Sequence, residues 1–304
     1  MHKIAIAVHG GAGENTPFLK EHVADNSEGL AAAVQKGYQI LKKGGSSLDA
    51  VEAAVQCLED NPFFNAGRGS ALNCNGEVEM DASIMDGQYL KAGAVSMIRR
   101  VKNPITLARL VMERTRHVLL SGYGAMELAK NAGISLEPDS YFITEHQYDA
   151  FKIANESETK QQIYEKKMHG TAGAVALDNS GNLAAATSTG GTKNCLPGRV
   201  GDSCIIGAGC YANNKTCAVS GTGDGEYLIT GVIAHTISMM MEYNKMSLQE
   251  ACDYVLHTRN KGIQAAIGVI SVDHQGKIGL AFNNDVMNRA WIGLDGKMHV
   301  KIYR

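Results

Sequence analysis

The sequence changes character near residue 170, and this change limits the folds that the chain can adopt. After it come three pairs of short apolar runs. Within each pair, a polar turn that contains glycine joins the two runs. Such pairs are typical of antiparallel β-hairpins. They are predicted at 171–188, 269–282 and 291–302, with turns at 178–182, 273–276 and 295–296.

Helical patterns dominate before residue 170. The spacing of apolar residues predicts helices over 27–43, 47–59, 104–116 and 120–132. Ser27 is the expected N-cap of the first helix, and Gly44-Gly45 its end. Strands are predicted over 3–8 and over 77–98, where Asp86-Gly87 breaks the run.

Two further helices are predicted between the hairpins, over 225–243 and 248–257. Ser247 and Glu250 have the spacing of a capping box at the start of the second. Helices and antiparallel strands are therefore grouped largely in blocks. This grouping favours a single α+β layered domain over residues 1–304 rather than a doubly wound parallel sheet.

The stretch from about 155 to 170 is polar and highly charged, with almost no apolar face. Because it has little to bury, it is predicted to be a mobile tail. An exposed polar helix is the alternative interpretation.

Composition excludes several classes of protein. The 304 residues carry a net charge of −2, without the basic excess that nucleic-acid binding requires. No apolar run approaches the roughly 18–20 residues needed to span a membrane. The N-terminal apolar run is too short for a signal peptide, and the seven cysteines form no CxxC pair. We therefore expect a cytoplasmic protein with reduced thiols and no membrane or nucleic-acid partner.

Several common catalytic motifs are absent from the sequence. It has no G-x-S-x-G, no phosphate-binding or dinucleotide glycine motif, and no H-E-x-x-H. The run from His9 to Gly13 follows a predicted strand, and we interpret it as a tight glycine turn.

The informative region is 169–226, where threonines recur beside glycines. Taken singly, each such site is an ordinary turn. Together, Thr171, Thr189 and Thr222 supply the parts for amide hydrolysis, because a threonine hydroxyl needs an adjacent base. If the chain is cut after Gly170, the new α-amine of Thr171, with a pKa of about 8, can be that base. Thr222 and the Gly223 amide could stabilise an oxyanion.

Arg199 and Asp202 are opposite charges in a glycine-rich turn. A surface ion pair, worth about 0–1 kcal/mol, is the simplest interpretation. The functional interpretation is a clamp for an amino acid. In it, Arg199 binds an α-carboxylate and Asp202 accepts from an α-ammonium.

The order of these motifs resembles the plant-type asparaginases, which are also isoaspartyl dipeptidases, over nearly the whole chain. The matching segments are Thr-Ser-Thr-Gly-Gly at 187–191, Gly-Arg-Val-Gly-Asp at 198–202, Gly-Ala-Gly-x-Tyr-Ala-x-Asn at 207–214, Thr-Gly-x-Gly-Glu at 222–226, Asn-Pro-x-Phe-Asn-Ala-Gly at 61–67, and the runs 9–13 and 79–87. Asp224 and the segment 283–285 depart from the usual pattern, and Asp224 adds a negative charge beside the expected amine pocket.

The resemblance implies a four-layer αββα sandwich of the N-terminal nucleophile hydrolase type. It also implies self-cleavage into an α subunit, 1–170, and a β subunit, 171–304. Roles follow by position. Thr171 is the nucleophile, Thr189 bonds and tunes it, and Thr222 with Gly223 forms the oxyanion hole. Arg199, Asp202 and the Gly225 carbonyl hold the substrate, and Asn65 supports cleavage or the substrate.

The family implies L-asparagine and β-aspartyl dipeptides as substrates, a homodimer of cleaved protomers, and no cofactor for the chemistry. It further implies a structural sodium ion bound by backbone carbonyls, which map to Leu58, Glu59, Asn61, Phe64, Ala66 and Arg68.

Three rival functions share part of this pattern. A glycosylasparaginase uses the same chemistry but is typically exported and disulfide-bonded. A taspase-like endoprotease fits poorly, because the clamp suits free amino and carboxyl groups. An uncut chain that only senses an amino acid is the non-catalytic alternative.

Overall fold

The computed structural model describes residues 3–157, 170–262 and 265–304. Within these ranges the helices are α1 (Pro17–Glu21), α2 (Val23–Lys42), α3 (Ser47–Glu59), α4 (Pro104–Arg114), α5 (Gly122–Asn131), α6 (Asp139–Phe142), α7 (Glu145–Ser157), α8 (Gly225–Gly231), α9 (Ile233–Asn244) and α10 (Leu248–Asp253).

The strands of the described residues are β1 (Ala5–Gly13), β2 (Met80–Asp86), β3 (Ala92–Ile98), β4 (Leu119–Ser121), β5 (Ala172–Leu177), β6 (Leu183–Thr189), β7 (Cys210–Ala212), β8 (Cys217–Gly223), β9 (Ile267–Asp273), β10 (Ile278–Phe282), β11 (Val286–Ile292) and β12 (Met298–Tyr303).

These strands form two sheets. The larger has eight strands in the order β12-β11-β1-β5-β6-β2-β3-β4, and the smaller has four in the order β10-β9-β8-β7. Neighbours pair antiparallel except β3 and β4, which are parallel. The fold is therefore mixed α and β, with mainly antiparallel sheets, as the sequence predicts.

Three large apolar clusters bury the faces of these sheets, and a fourth, small one joins Leu19 of α1 to Val286 of β11 and Ile302 of β12. The largest joins one face of the eight-stranded sheet to α2, α3, α4 and α5. The second contains side chains from both sheets, such as Val175 of β5 and Ile270 of β9. The third joins the four-stranded sheet to α9 and α10. Side chains that alternate along a strand serve different clusters: Ala174 lies in the first and Val175 in the second.

The three predicted hairpins are confirmed as β5–β6, β9–β10 and β11–β12. The helix predicted at 47–59 has these bounds in α3, and the break at Asp86-Gly87 separates β2 from β3. Most of the polar stretch from 155 to 170 lies outside the described residues, after the end of α7 at Ser157.

Two helix predictions are wrong. Helix α2 begins at Val23, so Ser27 lies inside it and donates to the Val23 carbonyl at 2.7 Å instead of capping. The single helix predicted at 225–243 is two helices, because Val232 adopts a left-handed conformation with φ 47°. The capping box is present: both the amide and the hydroxyl of Ser247 donate to the Glu250 carboxylate.

Candidate active site

The turn between β5 and β6 brings Thr189 beside the Gly170-Thr171 bond. The two strands pair from Leu177 opposite Leu183 to Ala172 opposite Ser188, so the ends of the hairpin meet. Both threonines are buried, at 4% exposure each. Residues separated by 18 positions are thus neighbours because of one short turn.

Two donors bind the carbonyl oxygen of Gly170. The Asn65 side-chain amide donates to it at 2.8 Å, and the Thr189 hydroxyl donates at 2.9 Å. The Asn65 side-chain oxygen accepts from the Ala71 amide at 2.7 Å, which fixes the orientation of this side chain. The carbonyl is therefore polarised as an oxyanion hole polarises a reacting one.

A glycine of β1 presses against the same peptide bond. Gly11 has φ +109°, and a Cβ built there would lie 3.3 Å from the Gly170 Cα and 3.4 Å from the Thr171 nitrogen. The amide of Ala12 donates to the Thr222 hydroxyl at 3.2 Å. Gly11 and Ala12 thus connect the Gly170-Thr171 bond to the end of β8. The tight turn predicted at 9–13 is wrong, because these residues continue β1 with an irregularity between His9 and Ala12.

The buried ring of His9 hydrogen-bonds the backbone of Thr171. Its Nδ1 is 3.1 Å from the Thr171 carbonyl oxygen, and its Nε2 is 2.9 Å from the Ser220 hydroxyl. Because a carbonyl only accepts, Nδ1 carries the proton and Nε2 accepts from Ser220. Burial lowers the pKa of His9 to about 3, so the ring is neutral.

Glycine at position 173 makes room for this contact, because a Cβ there would overlap both the His9 ring and the Ser220 hydroxyl. The sequence interpretation treated His9 only as part of a turn. The glycine opposite it on β5 is visible in the sequence, but the pairing that joins the two is not.

The two charges of the proposed clamp do not form the surface ion pair that is the simplest interpretation of the sequence. Arg199 does not bond Asp202; it binds the Glu226 carboxylate at two positions, both 3.0 Å. Asp202 is 3% exposed, and burial raises its pKa to about 7 even though Arg199 acts in the opposite direction. Glu226 was missed from the sequence, although it lies in the Thr-Gly-x-Gly-Glu motif.

Gly225 separates Arg199 from Asp202. A Cβ at this position would lie 2.7 Å from the Arg199 Nη2 and 2.9 Å from the Asp202 Oδ1. The space between the cation and the acid is therefore available only because residue 225 has no side chain.

A small cavity joins the clamp to the Gly170-Thr171 bond. It is lined by Gly170, Thr171, Thr189, Gly191, Thr192, Arg199, Asp202 and Gly223. Its volume of about 10 Å³ is close to that of a single water site. The intact Gly170-Thr171 segment thus leaves no room for an amino acid beside the clamp.

The backbone carbonyls expected to bind sodium lie at the end of α3, in Leu58 and Glu59, and in the loop that follows it. Glu59 accepts from the Arg68 amide at 2.7 Å, and Phe64 accepts from the Ala66 amide at 3.0 Å. The Phe64 and Pro62 carbonyls converge on Gly69, where a Cβ would lie 2.7 and 2.6 Å from them. The loop offers clustered oxygens, each with a second lone pair, which suits a hard cation.

No group of three or more His, Cys, Asp or Glu side chains suited to a metal ion occurs in 3–157, 170–262 or 265–304. None of the helices described above is long and apolar enough to cross a membrane.

Comparison with known proteins gives the family. The family model described as "Asparaginase" matches residues 2–302. An isoaspartyl peptidase of Salmonella typhimurium is 44% identical over 299 residues, 96% of each chain. An isoaspartyl peptidase/L-asparaginase of Xenopus laevis is 45% identical over 301 residues, 99% of this chain and 96% of its own. A probable isoaspartyl peptidase/L-asparaginase 2 of Arabidopsis thaliana is 40% identical over 98% of each. The chain belongs to the asparaginase family.

Proposed function

We propose that the chain cuts itself between Gly170 and Thr171 and then hydrolyses L-asparagine and β-aspartyl dipeptides. The observation that carries this proposal is the Gly170 carbonyl, which directly precedes Thr171 and accepts from both Asn65 and Thr189. Membership of the asparaginase family and the names of its relatives support the substrate class.

Self-cleavage begins with attack of the Thr171 hydroxyl on the Gly170 carbonyl carbon. The tetrahedral oxyanion is stabilised by the Asn65 amide and the Thr189 hydroxyl. Collapse breaks the C–N bond and leaves an ester on the Thr171 oxygen with a free α-amine. Water then hydrolyses the ester, which releases the α subunit, 1–170, from the β subunit, 171–304.

In turnover the α-amine of Thr171 accepts the proton of its own hydroxyl, and the oxygen attacks the substrate's side-chain carbonyl. Thr222 and the Gly223 amide donate to the oxyanion. Ammonia or the amine of the second residue leaves with the proton, and water hydrolyses the aspartyl ester to L-aspartate. In this state Thr189 no longer donates to the Gly170 carbonyl, and it hydrogen-bonds the Thr171 hydroxyl instead.

The substrate's α-carboxylate binds Arg199, and its α-ammonium binds Asp202 and the Gly225 carbonyl. Two observations support this assignment: Gly225 leaves space between the two charges, and the adjoining cavity reaches Thr171. That cavity holds only about 10 Å³ while Gly170 is in place, so cleavage precedes substrate binding.

The fold proposed for this activity is the four-layer αββα sandwich. The three apolar clusters support it, because they lie between helices and sheet, between the two sheets, and between sheet and helices. From the family resemblance we also propose a structural sodium ion in the loop after α3 and a dimer of cleaved protomers. A rise in melting temperature with sodium but not choline chloride tests the first, and light scattering tests the second.

The test of function measures ammonia released from L-asparagine and aspartate released from β-aspartyl-leucine, with α-aspartyl-leucine as control. We expect L-asparagine and β-aspartyl-leucine to be hydrolysed and α-aspartyl-leucine to remain intact. A fully cut chain that hydrolyses neither refutes the proposal. Hydrolysis of N-acetylglucosaminyl-asparagine alone would favour the glycosylasparaginase alternative, and an uncut chain that binds L-aspartate would favour the sensor.

A further inference from the structure

A second, larger cavity begins at the Gly170-Thr171 bond. Its volume is about 270 Å³, and Gly170 and Asn65 form part of its wall. Gly170 also lines the small cavity beside the clamp. The scissile bond therefore separates the clamp from this larger space.

An aromatic wall forms one part of the large cavity. Phe18 stacks on His146 with ring centroids 3.5 Å apart and planes 7° apart, and Phe63 lies 6.2 Å from Phe18. Burial lowers the pKa of His146 to about 4, with Lys193 and His22 lowering it further, so its ring is neutral. The wall is thus an uncharged, half-buried surface suited to an apolar or aromatic side chain.

Lys193 also lines this cavity, and it is the cation there. Burial lowers the pKa of its amine, and no carboxylate of the described residues lies within ion-pair distance of it. Glu14 and Asp224 line the cavity as well, Glu14 on the exposed rim and Asp224 buried. A partly buried lysine that has no acidic partner among the described residues favours an anionic ligand group.

The direction of the leaving group follows from the proposed function, on which this inference rests. With the α-carboxylate and α-ammonium of the aspartyl residue on the clamp, its side-chain carbonyl lies at Thr171. The bond to the second residue then points away from the clamp, across the position of Gly170, toward the large cavity.

We propose that this cavity binds the C-terminal residue of a β-aspartyl dipeptide, with its carboxylate on Lys193 and its side chain against Phe18 and His146. The site selects dipeptides whose second residue is aromatic or large and aliphatic. A volume of about 270 Å³ is below the usual range of ligand pockets, which begins near 300 Å³, and suits one residue.

The test compares kcat/KM for β-aspartyl-phenylalanine, its C-terminal amide, β-aspartyl-glycine and L-asparagine. In the wild type we expect the phenylalanine dipeptide to exceed both its amide and the glycine dipeptide by about tenfold or more. In Lys193→Met the ratio of phenylalanine dipeptide to L-asparagine falls about tenfold to 100-fold, and the acid and its amide become equal.

Three further variants sharpen the test. Lys193→Arg restores the ratio in part because it restores the charge, and Lys215→Met, at an exposed turn, leaves the ratio at the wild-type value. Phe18→Ala lowers the preference for phenylalanine over glycine without making acid and amide equal.

Wild-type activity separates the two proposals. If the wild type hydrolyses L-asparagine but has the same kcat/KM for the phenylalanine dipeptide, its amide and the glycine dipeptide, the leaving-group site is wrong and the proposed function stands. The leaving-group site is also wrong, and the proposed function still stands, if Lys193→Met reduces the L-asparagine rate as much as the dipeptide rate. If the cut wild type hydrolyses none of the substrates, the proposed function itself fails.

Discussion

Replacing Gly225 by alanine should block the clamp without removing any charge from it. The added Cβ would lie 2.7 Å from the Arg199 Nη2 and 2.9 Å from the Asp202 Oδ1, both closer than an ordinary contact. One of the two groups must move away from the substrate. A hydrogen bond to a charged group contributes about 1.5–3 kcal/mol, so KM for L-asparagine should rise about tenfold to 100-fold.

The effect should fall on KM rather than kcat, because the clamp holds the substrate equally in the ground and transition states. Self-cleavage should continue, since Gly225 contacts neither Asn65 nor Thr189, which bind the scissile carbonyl. The assay follows ammonia release over a range of L-asparagine concentrations, after intact mass has shown that the variant is cut.

Gly124→Ala in α5 is the matched control, because a Cβ there meets no atom within 4 Å. Alanine is also the better helix former at both positions. A Gly225→Ala enzyme with the wild-type KM would refute the assignment of Arg199 and Asp202 as the substrate clamp.

Three further predictions concern the same site. Asn65→Ala removes one donor to the Gly170 carbonyl and should slow self-cleavage about 100-fold or more, followed by intact mass; unchanged cleavage contradicts the oxyanion assignment. KM for L-asparagine should rise as pH falls through about 7, because protonated Asp202 cannot accept from the substrate ammonium, and Asp202→Asn should lose this dependence. His9→Leu, made in the uncleavable Thr171→Ala background, should lower the free energy of unfolding by about 1–3 kcal/mol in urea, because two buried polar groups lose their partner. Equal stability would show that His9 is dispensable.

The parts of the fold set by local pattern could be predicted from the sequence. The three hairpins follow from paired apolar runs around polar turns, and α3 follows from the spacing of its apolar residues. The errors lie at helix ends: α2 extends back to Val23, and Val232 divides the helix predicted at 225–243 where the amides of Ala234 and His235 bond the Ala208 and Gly207 carbonyls.

The site shows the same limit. Thr189 and Asn65 both bond the Gly170 carbonyl, whereas the resemblance implies a bond from Thr189 to Thr171 itself. The support by His9 could not be predicted, because it contacts residues 162 and 211 positions away in the chain.

The charges of the clamp were predicted, but their partners were not. The simplest interpretation, a surface ion pair of Arg199 with Asp202, is wrong, because Arg199 pairs with Glu226, 27 residues away. Asp202 is buried apart from that ion pair, and its burial raises its pKa. Nothing in the local sequence indicates this burial.

The central claim is that the Thr171 hydroxyl cuts its own chain and then acts as the nucleophile. It is tested most directly by intact mass of freshly purified protein, followed over days beside Thr171→Ala, with L-asparagine hydrolysis measured on the same samples. We expect the wild type to give two fragments, the second starting at Thr171, with activity rising as they form, while the variant stays whole and inactive. Cleavage at the same bond in Thr171→Ala, or activity without that threonine, would contradict the account.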